Sequence, residues 1–552
     1  MNMLRKLLLL ITVIIFNCKL NSQNTFGTTF VNENVYDGYT LVSIHKKVFL
    51  INNCGELVKE WTSNYLPGNA VYLLPNGNIL RAGRVDDNTS TINFGGVGGV
   101  VELFDWSGNL IWYYRYHTNN FRQHHDVYPM PNGNVLILAA TRINTTDAIE
   151  AGRNPSNLSN IDLYNERIIE VEPSGFNQGN IVWEWNLYDH LIQDFDATKG
   201  NFGIVADNPG KLDINFLNGH SPASNWIHAN SIQYNEERDQ IVISSRKMSE
   251  LWIIDHTTTT NEAAVNTGGI YGKGGDFLYR WGNPQAYRQG NEANRKLFGQ
   301  HMPYIIPSGI PNAGKIITFN NGFGRTPNYS QIDIITPPTS APGFYTSYSN
   351  SAYGPNNTDL TFPEIVPTEN TEFYSNILSS AQQLPNGNIL VCQGRQGYFF
   401  EIDSNNNIVW EYVLPIDVGN GSSFNQGDTA PEANFCFRAI KYGENYPAFD
   451  NIEIDPGEPL ENNPNIDFCR EILSDNRFEE IRVSVYPNPT SNFIYIKTNL
   501  DINKIEIYNI FGSRVHTNNN SKKINLSNLE SNVYFIKIHT NNSVISKKVI
   551  KQ

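Results

Sequence analysis

A two-part module that recurs between about Gly38 and Val413 restricts this chain more than any other feature. One part is an alternating strand, a polar turn and a second strand carrying Trp. It occurs as 48–52 leading to Trp61, 101–105 leading to Trp112, 168–171 leading to Trp183, 251–255 leading to Trp281, and 399–403 leading to Trp410. The other part is Pro-Asn-Gly-Asn before a short apolar strand, at 75–78, 131–134 and 385–388, with a degenerate version at 311–315. Asn-Gly between apolar strands is a strong hairpin signal and predicts type I′ turns, in which both central residues take positive φ. Repeated four-strand units with periodic aromatic and glycine positions indicate an all-β chain folded as a β-propeller. Five clear modules and an eroded one around Phe323 to Ile335 predict six blades, with a β-sandwich or β-helix as the alternative. The modules are unevenly spaced, so 144–166, 186–225 and 336–376 are expected to be long loops, a length usual for lids and binding loops.

The two ends differ from this body. Arg5 and Lys6 precede an apolar run, Leu7 to Phe16, followed by polar Asn17 to Gln23. That order predicts a secretory signal over 1–23, cut near Ser22 or Gln23 and too short to span a bilayer. No later stretch reaches the ~18 apolar residues of a membrane helix. At the other end, 483–552 carries 9 Lys or Arg and 3 Asp or Glu, whereas 24–482 carries 28 and 51. So acidic a body disfavours nucleic acid as a partner, and 12% aromatic residues disfavour disorder. The last segment is a set of short alternating strands with Asn/Ser turns. Its pieces Val485-Tyr486-Pro487-Asn488-Pro489, Ile505 to Gly512, Val533 to Lys537 and Lys547 to Lys551 resemble, in order, a type IX secretion C-terminal sorting domain of Bacteroidetes. The resemblance implies a small β-sandwich-like address over 483–552, the type IX machinery as partner, and a secreted or cell-surface location reached through the periplasm. Beyond Cys18 of the signal, Cys54, Cys392, Cys436 and Cys469 allow three pairings, and Cys436 with Cys469 is expected because both lie in a loop-rich region.

Histidines carry the chemistry. Three groups stand at one place in successive modules, just upstream of the Pro-Asn-Gly-Asn strand or its equivalent: His124-His125-Asp126 before Val135, His228-Ala229-Asn230 before Ile241, and Gln300-His301 before Ile316. A scattered histidine is most often a satisfied polar group. Three at matching positions instead point to one axial channel lined by the innermost strands. The second group runs on to Arg246, whose fork of donors suits a tetrahedral oxyanion, and Asn230 adds a neutral donor. A three-histidine zinc site is the competing reading, and a cation such as Arg246 beside a divalent metal is unfavourable. Asp126 either orients His125 or merely opens its strand. His190 and His220 lie on the loop 186–225 and can reach substrate, whereas His45, His117, His256, His516 and His539 match no module position and read as exposed or structural.

Trp226 to Ser231, Ile243 to Arg246 and Leu251 to Asp255 resemble the core signature of bacterial arylsulfate sulfotransferases, supported by Asp189 to Asp194, Gly299-Gln300-His301 and Phe437 to Tyr442. The resemblance spans roughly 38–450 within a propeller domain over 24–480. It implies a six-bladed propeller that moves a sulfuryl group between phenols without a nucleotide donor, cofactor or metal. His301 matches the histidine that is transiently sulfated. His125 (or His124), His228, Asn230 and Arg246 match the residues around the sulfuryl group. The expected reaction is ping-pong: His301 attacks sulfur, a phenolate leaves with His228 or His125 nearby, and an acceptor phenol then takes the group. A surface propeller that binds glycans, peptides or anions without turnover, and an aryl sulfate hydrolase, remain as alternatives. Enterobacterial members carry an N-terminal β-domain used in dimerisation; only about 15 residues separate the signal from the first module here, so the dimer is not carried over from the resemblance.

Overall fold

A computed structural model describes residues 24–552 except 87–89, 159–161, 347–350, 366, 451, 476–482, 499–500, 519–520 and 541–543. The expected signal over 1–23 and the expected boundary at 480–483 lie on or beside residues outside this set. The chain divides into two compact units between Arg470 and Glu471.

In the first unit each sequence module becomes part of one antiparallel sheet, and the described residues give six such sheets besides two two-stranded ribbons. The first sheet joins Ala439–Gly443 to Gly38–Ile44, Lys47–Ile51 and Leu57–Thr62. The second runs Leu66–Leu73, Ile79–Arg84, Gly99–Phe104, Leu110–Arg115, and the third Phe121–Pro129, Val135–Ile143, Leu163–Ser174, Gln178–Asn186. The fourth runs Ala229–Asn235, Gln240–Ser245, Glu250–Asp255, Tyr279–Trp281, and the fifth His301–Ile305, Ile316–Asn320, Gln331–Ile335, Leu360–Phe362. The sixth takes Ser380–Gln383, Ile389–Gln393, Tyr398–Ile402 and Ile408–Val413, with Gly27–Val31 added at its edge. From the second sheet on, each leading strand lies against the next leading strand or its neighbour. Ser380–Gln383 then lies against Ala439–Gly443, which returns the circuit to the first sheet. The architecture is all-β and propeller-like.

The periodic tryptophans explain themselves in this arrangement. Each sits on the fourth strand of its sheet and donates its indole N–H to the neighbouring sheet or its loops: Trp61 to Asp105 O, Trp112 to Gln178 O, Trp183 to Thr258 Oγ1, Trp281 to Pro355 O and Trp410 to Asn53 O, at 2.7–3.2 Å. The rings fill the apolar layers between sheets and give the polar edge a partner that burial demands.

Three expectations need correction. The Pro-Asn-Gly-Asn turns are not type I′. Only the glycine is left-handed (φ 85°, 88° and 100° at Gly77, Gly133 and Gly387), and its N–H bonds to the carbonyl three residues back. Pro at the second position sets a type I turn, the Asn side chain accepts from the N–H two residues on, and Gly completes the bulged hairpin. Cys436 does not pair with Cys469. The bridge is Cys54–Cys469, with Cα atoms 5.6 Å apart, while Cys392 and Cys436 are buried free thiols. Asp467–Asp475 is helical and brings Cys469 back to the first sheet, where Arg470 also pairs with Glu56. Residues 163–166 are not loop; they begin a twelve-residue strand.

The second unit holds a three-stranded and a four-stranded antiparallel sheet. Phe493–Lys497 alternates exposed and buried, and its Ile494 and Ile496 join Ile505, Ile507, Ile536 and Ile538 in one apolar layer.

Candidate active site

The three histidine groups fall at the leading strands of the third, fourth and fifth sheets, with His228 and Gln300 one residue before theirs, at backbone irregularities. Register shifts occur between Ile137 and Ala139 (opposite 124–126), between Ala229 and Ser231, and between His301 and Tyr304. His125 (φ 52°), His228 (φ 53°) and Met302 (φ 49°) occupy the left-handed region at these bulges. Such a conformation costs a non-glycine residue about 1 kcal/mol or more and re-aims the side chain next to it, which is how bulges serve active sites.

The imidazoles come together. The rings of His125 and His228 lie 4.8 Å apart, those of His124 and His125 5.2 Å apart, and Phe437 lies 6.3 Å from His125 and 6.5 Å from His301. Their hydrogen-bond partners give each ring a different protonation pattern. Asn321 Nδ2 donates to the carbonyls of Ser375 (2.6 Å) and Leu378 (2.9 Å), so its Oδ1 faces His301 Nδ1 at 2.7 Å and must accept. His301 therefore carries its hydrogen on Nδ1 and a lone pair on Nε2. Asn225 works in the opposite sense. Its Oδ1 accepts from the His228 N–H, so its Nδ2 donates to His228 Nδ1 at 2.8 Å and leaves the hydrogen on Nε2. His125 Nδ1 meets His124 Nδ1 at 2.9 Å, and His124 Nε2 meets Glu166 Oε2 at 2.9 Å.

Charge supports the neutral forms. Burial, with Arg246 and Arg438 adding and the Asn321 hydrogen bond opposing, brings the His301 pKa down to about 3. Burial and then the neighbouring histidines and Arg246 hold His125 and His228 well below the usual range. Arg246 has no carboxylate partner among the described residues. It lies over Phe323 at 4.6 Å and donates to Asn376 O, while Lys247 beside it donates to Asn225 O. Two cations with no carboxylate partner among the described residues, next to neutral imidazoles, are an arrangement that favours an anion. Among the described residues no group of three His, Cys, Asp or Glu side chains could hold a metal ion.

Asn230 is fully buried, and its Nδ2 donates to Gln300 O at 2.8 Å, tying the strand of His228 to that of His301. Asp126 neither orients His125 nor simply opens the strand: it pairs with buried Arg438 at 2.8 Å and accepts from Ile232 N. His190 is locked between Asp276 and Ala263 O, whereas His220 stacks on Phe323 at 6.3 Å, beside the cations. His256 is structural, held by Asp239 and Glu170.

Sequence reasoning missed Asn225, Asn321, Glu166 and the aromatic wall. Phe94 stacks on His125 at 6.2 Å and lies 6.0 Å from His228. Its signal was present: Gly95, Gly96, Gly98 and Gly99 follow it, and a Cβ on Gly96 (φ 94°) would stand 2.1 Å from His125 Nε2. That glycine is needed for the loop to close over the imidazole.

A model of the family described as Arylsulfotransferase (ASST) matches residues 68–417, and one of the secretion system C-terminal sorting domain matches 484–552. The tail marks the chain for export to the cell surface or beyond. No helix among the described residues is long and apolar enough to cross a membrane. No protein of curated function matches. Among solved structures, a protein of unknown function from Bacteroides caccae is 11% identical, covering 73% of this chain and 98% of that one, with a TM-score of 0.38. A putative 6-phosphogluconolactonase from Bacteroides fragilis is 8% identical (74% and 99% covered, TM-score 0.32). A catalytically inactive virginiamycin B lyase from Staphylococcus aureus, with quinupristin, is 10% identical (71% and 90%, TM-score 0.31).

Proposed function

The chain belongs to the arylsulfotransferase family, and from that premise we propose that it transfers a sulfuryl group from an aryl sulfate to a phenolic acceptor through a sulfohistidine on His301. The six sheets are read as the blades of a propeller spanning 24–480, with 483–552 as the sorting domain that engages the type IX secretion machinery. The observation that carries the reading is the fixed tautomer of His301 beside an Arg246 that has no carboxylate partner among the described residues.

Sulfur is attacked by the Nε2 lone pair. The N–S bond forms as the S–O bond to the leaving phenolate breaks, and positive charge develops on the ring. The Nδ1–H then becomes more acidic, so its bond to Asn321 Oδ1 strengthens in the transition state, where it counts. Arg246 and the Nε2–H of His228 stabilise charge on the sulfuryl oxygens from fixed positions, which spares the reorganisation water would need. Asn230 holds the strands of His228 and His301 in register. Phe94, Phe323 and Phe437 supply apolar faces for the aryl group. An acceptor phenol then reverses the first step.

Release of 4-nitrophenol from 4-nitrophenyl sulfate, measured with and without added phenol, tests the reading. Turnover stimulated by phenol, with the aryl sulfate of the acceptor formed, is expected, and His301→Ala should abolish it. Equal turnover without acceptor would make the protein a hydrolase. No turnover on several aryl sulfates would leave a binding module.

A further inference from the structure

His125 is backed by a chain of buried groups for which attack on sulfur has no use. His124 is fully buried, and Glu166 is 4% exposed. Glu166 Oε2 meets His124 Nε2 at 2.9 Å, and its Oε1 accepts from Ala229 N at 2.9 Å, the peptide next to His228. His124 Nδ1 meets His125 Nδ1 at 2.9 Å. With Glu166 ionised, His124 carries its hydrogen on Nε2, and the neutral pair shares one hydrogen between the two Nδ1 atoms, which His125 supplies. That leaves a lone pair on His125 Nε2, which has no protein partner among the described residues; the Gly96 backbone packs over the ring face instead, where a Cβ would stand 2.1, 2.2 and 2.4 Å from Nε2, Cε1 and Cδ2. The only carboxylate adjacent in sequence, Asp126, is committed to Arg438.

We propose that Glu166, His124 and His125 form a proton relay in which His125 Nε2 is the general base that takes the proton of the acceptor phenol. The proposal rests on sulfuryl transfer through His301. In the acceptor step the O–H bond breaks and its proton passes to His125 Nε2. The phenolic oxygen bonds to sulfur, the N–S bond to His301 breaks, and that electron pair returns to His301 Nε2. The positive charge stays on His125 or moves to His124 by transfer of the shared hydrogen, and Glu166 is its counter-ion in either case. Arg246, His228 and His301 oppose a cation on His125, and transfer of the shared hydrogen moves the charge to His124, beside the Glu166 carboxylate. Release of the proton to solvent replaces the one taken up by the first phenolate. By microscopic reversibility the same group serves as acid for a poor leaving phenol, but 4-nitrophenolate leaves without help. His124 and Glu166 are therefore positioning residues, and His125 the catalytic one.

Glu166→Gln and, separately, His124→Asn in the full chain test this. The burst of 4-nitrophenol from 4-nitrophenyl sulfate reports the first transfer, and turnover with phenols of graded acidity reports the second. The acceptor step should fall about 100-fold or more for phenols with pKa near ~10, the range in which general base catalysis contributes. The deficit should shrink to about fivefold for phenols largely ionised in solution, while the burst slows by less than about tenfold. A loss equal for all acceptors, or a burst slowed as much as the acceptor step, overturns the relay. No burst in the parent chain would instead remove the sulfohistidine reading itself. His124→Asn leaves the Glu166–Ala229 bond in place, so it carries the same comparison if Glu166→Gln does not fold.

Discussion

His301 differs from a solvent-exposed histidine in its tautomer and in its pKa, and both are measurable. With the free imidazole brought down to about 3 by burial and Arg246, the proposed nucleophile stays neutral as the pH falls from 7 to 5. An ordinary histidine, titrating near 6.5, would lose about tenfold or more of its neutral form over that range. The burst rate with 4-nitrophenyl sulfate should therefore stay flat between pH 5 and 7, and a fall with an apparent pKa near ~6.5 would contradict the environment described. Asn321→Ala should lower the first transfer by about 10–100-fold with little change in KM, because it frees the ring to rotate and change tautomer. The histidines were legible in the sequence because module register repeats along the chain. Their partners were not: Asn321, just past the strand Ile316–Asn320, is 20 residues from His301, and Glu166, two strands over in the same sheet, is 42 from His124. Asn230 matched a site residue, but the bond its buried amide makes to Gln300 O depends on two sheets meeting.

At the scale of elements, bulges and tryptophan bridges set the geometry. Trp112→Phe leaves the Gln178 carbonyl without its partner and should cost about 1–2 kcal/mol in chemical denaturation, with little change in the chemical step. His256 gives a pH-dependent counterpart. Burial would lower its pKa, but hydrogen bonds to Asp239 and Glu170 raise it to about 9. A raised folded-state pKa stabilises fully below the unfolded value of ~6.5, and the effect is lost as pH climbs through about 9. His256→Gln should accordingly destabilise by about 2 kcal/mol at pH 6 and much less at pH 10, read from unfolding midpoints. Strands and their Trp partners could be read from period and composition. The turn type could not, because Pro before Asn-Gly selects a type I turn with a single left-handed glycine, and an Asn-Gly rule ignores that proline.

At the scale of the whole molecule, the two units have different tasks. A chain ending at residue 475 keeps Cys469 and the six sheets, so it should retain transferase activity in vitro while losing export; loss of activity with intact secondary structure would argue otherwise. The sequence located the tail through its strand pieces and its basic charge. It misjudged the bridge because Cys54 and Cys469 are 415 residues apart and meet only when the chain returns to its first sheet. In so acidic a body Arg246 and Lys247 bond only to backbone carbonyls and have no carboxylate partner among the described residues, which suits the proposed transfer of one anionic group. The most direct test of transfer through His301 is to mix the protein with 4-nitrophenyl sulfate without acceptor, quench within the burst, and map the modified peptide by mass spectrometry. One sulfuryl group on His301 Nε2, discharged when a phenol is added, is the expected result. An unmodified His301 in a chain that still sulfates phenol would contradict the assignment.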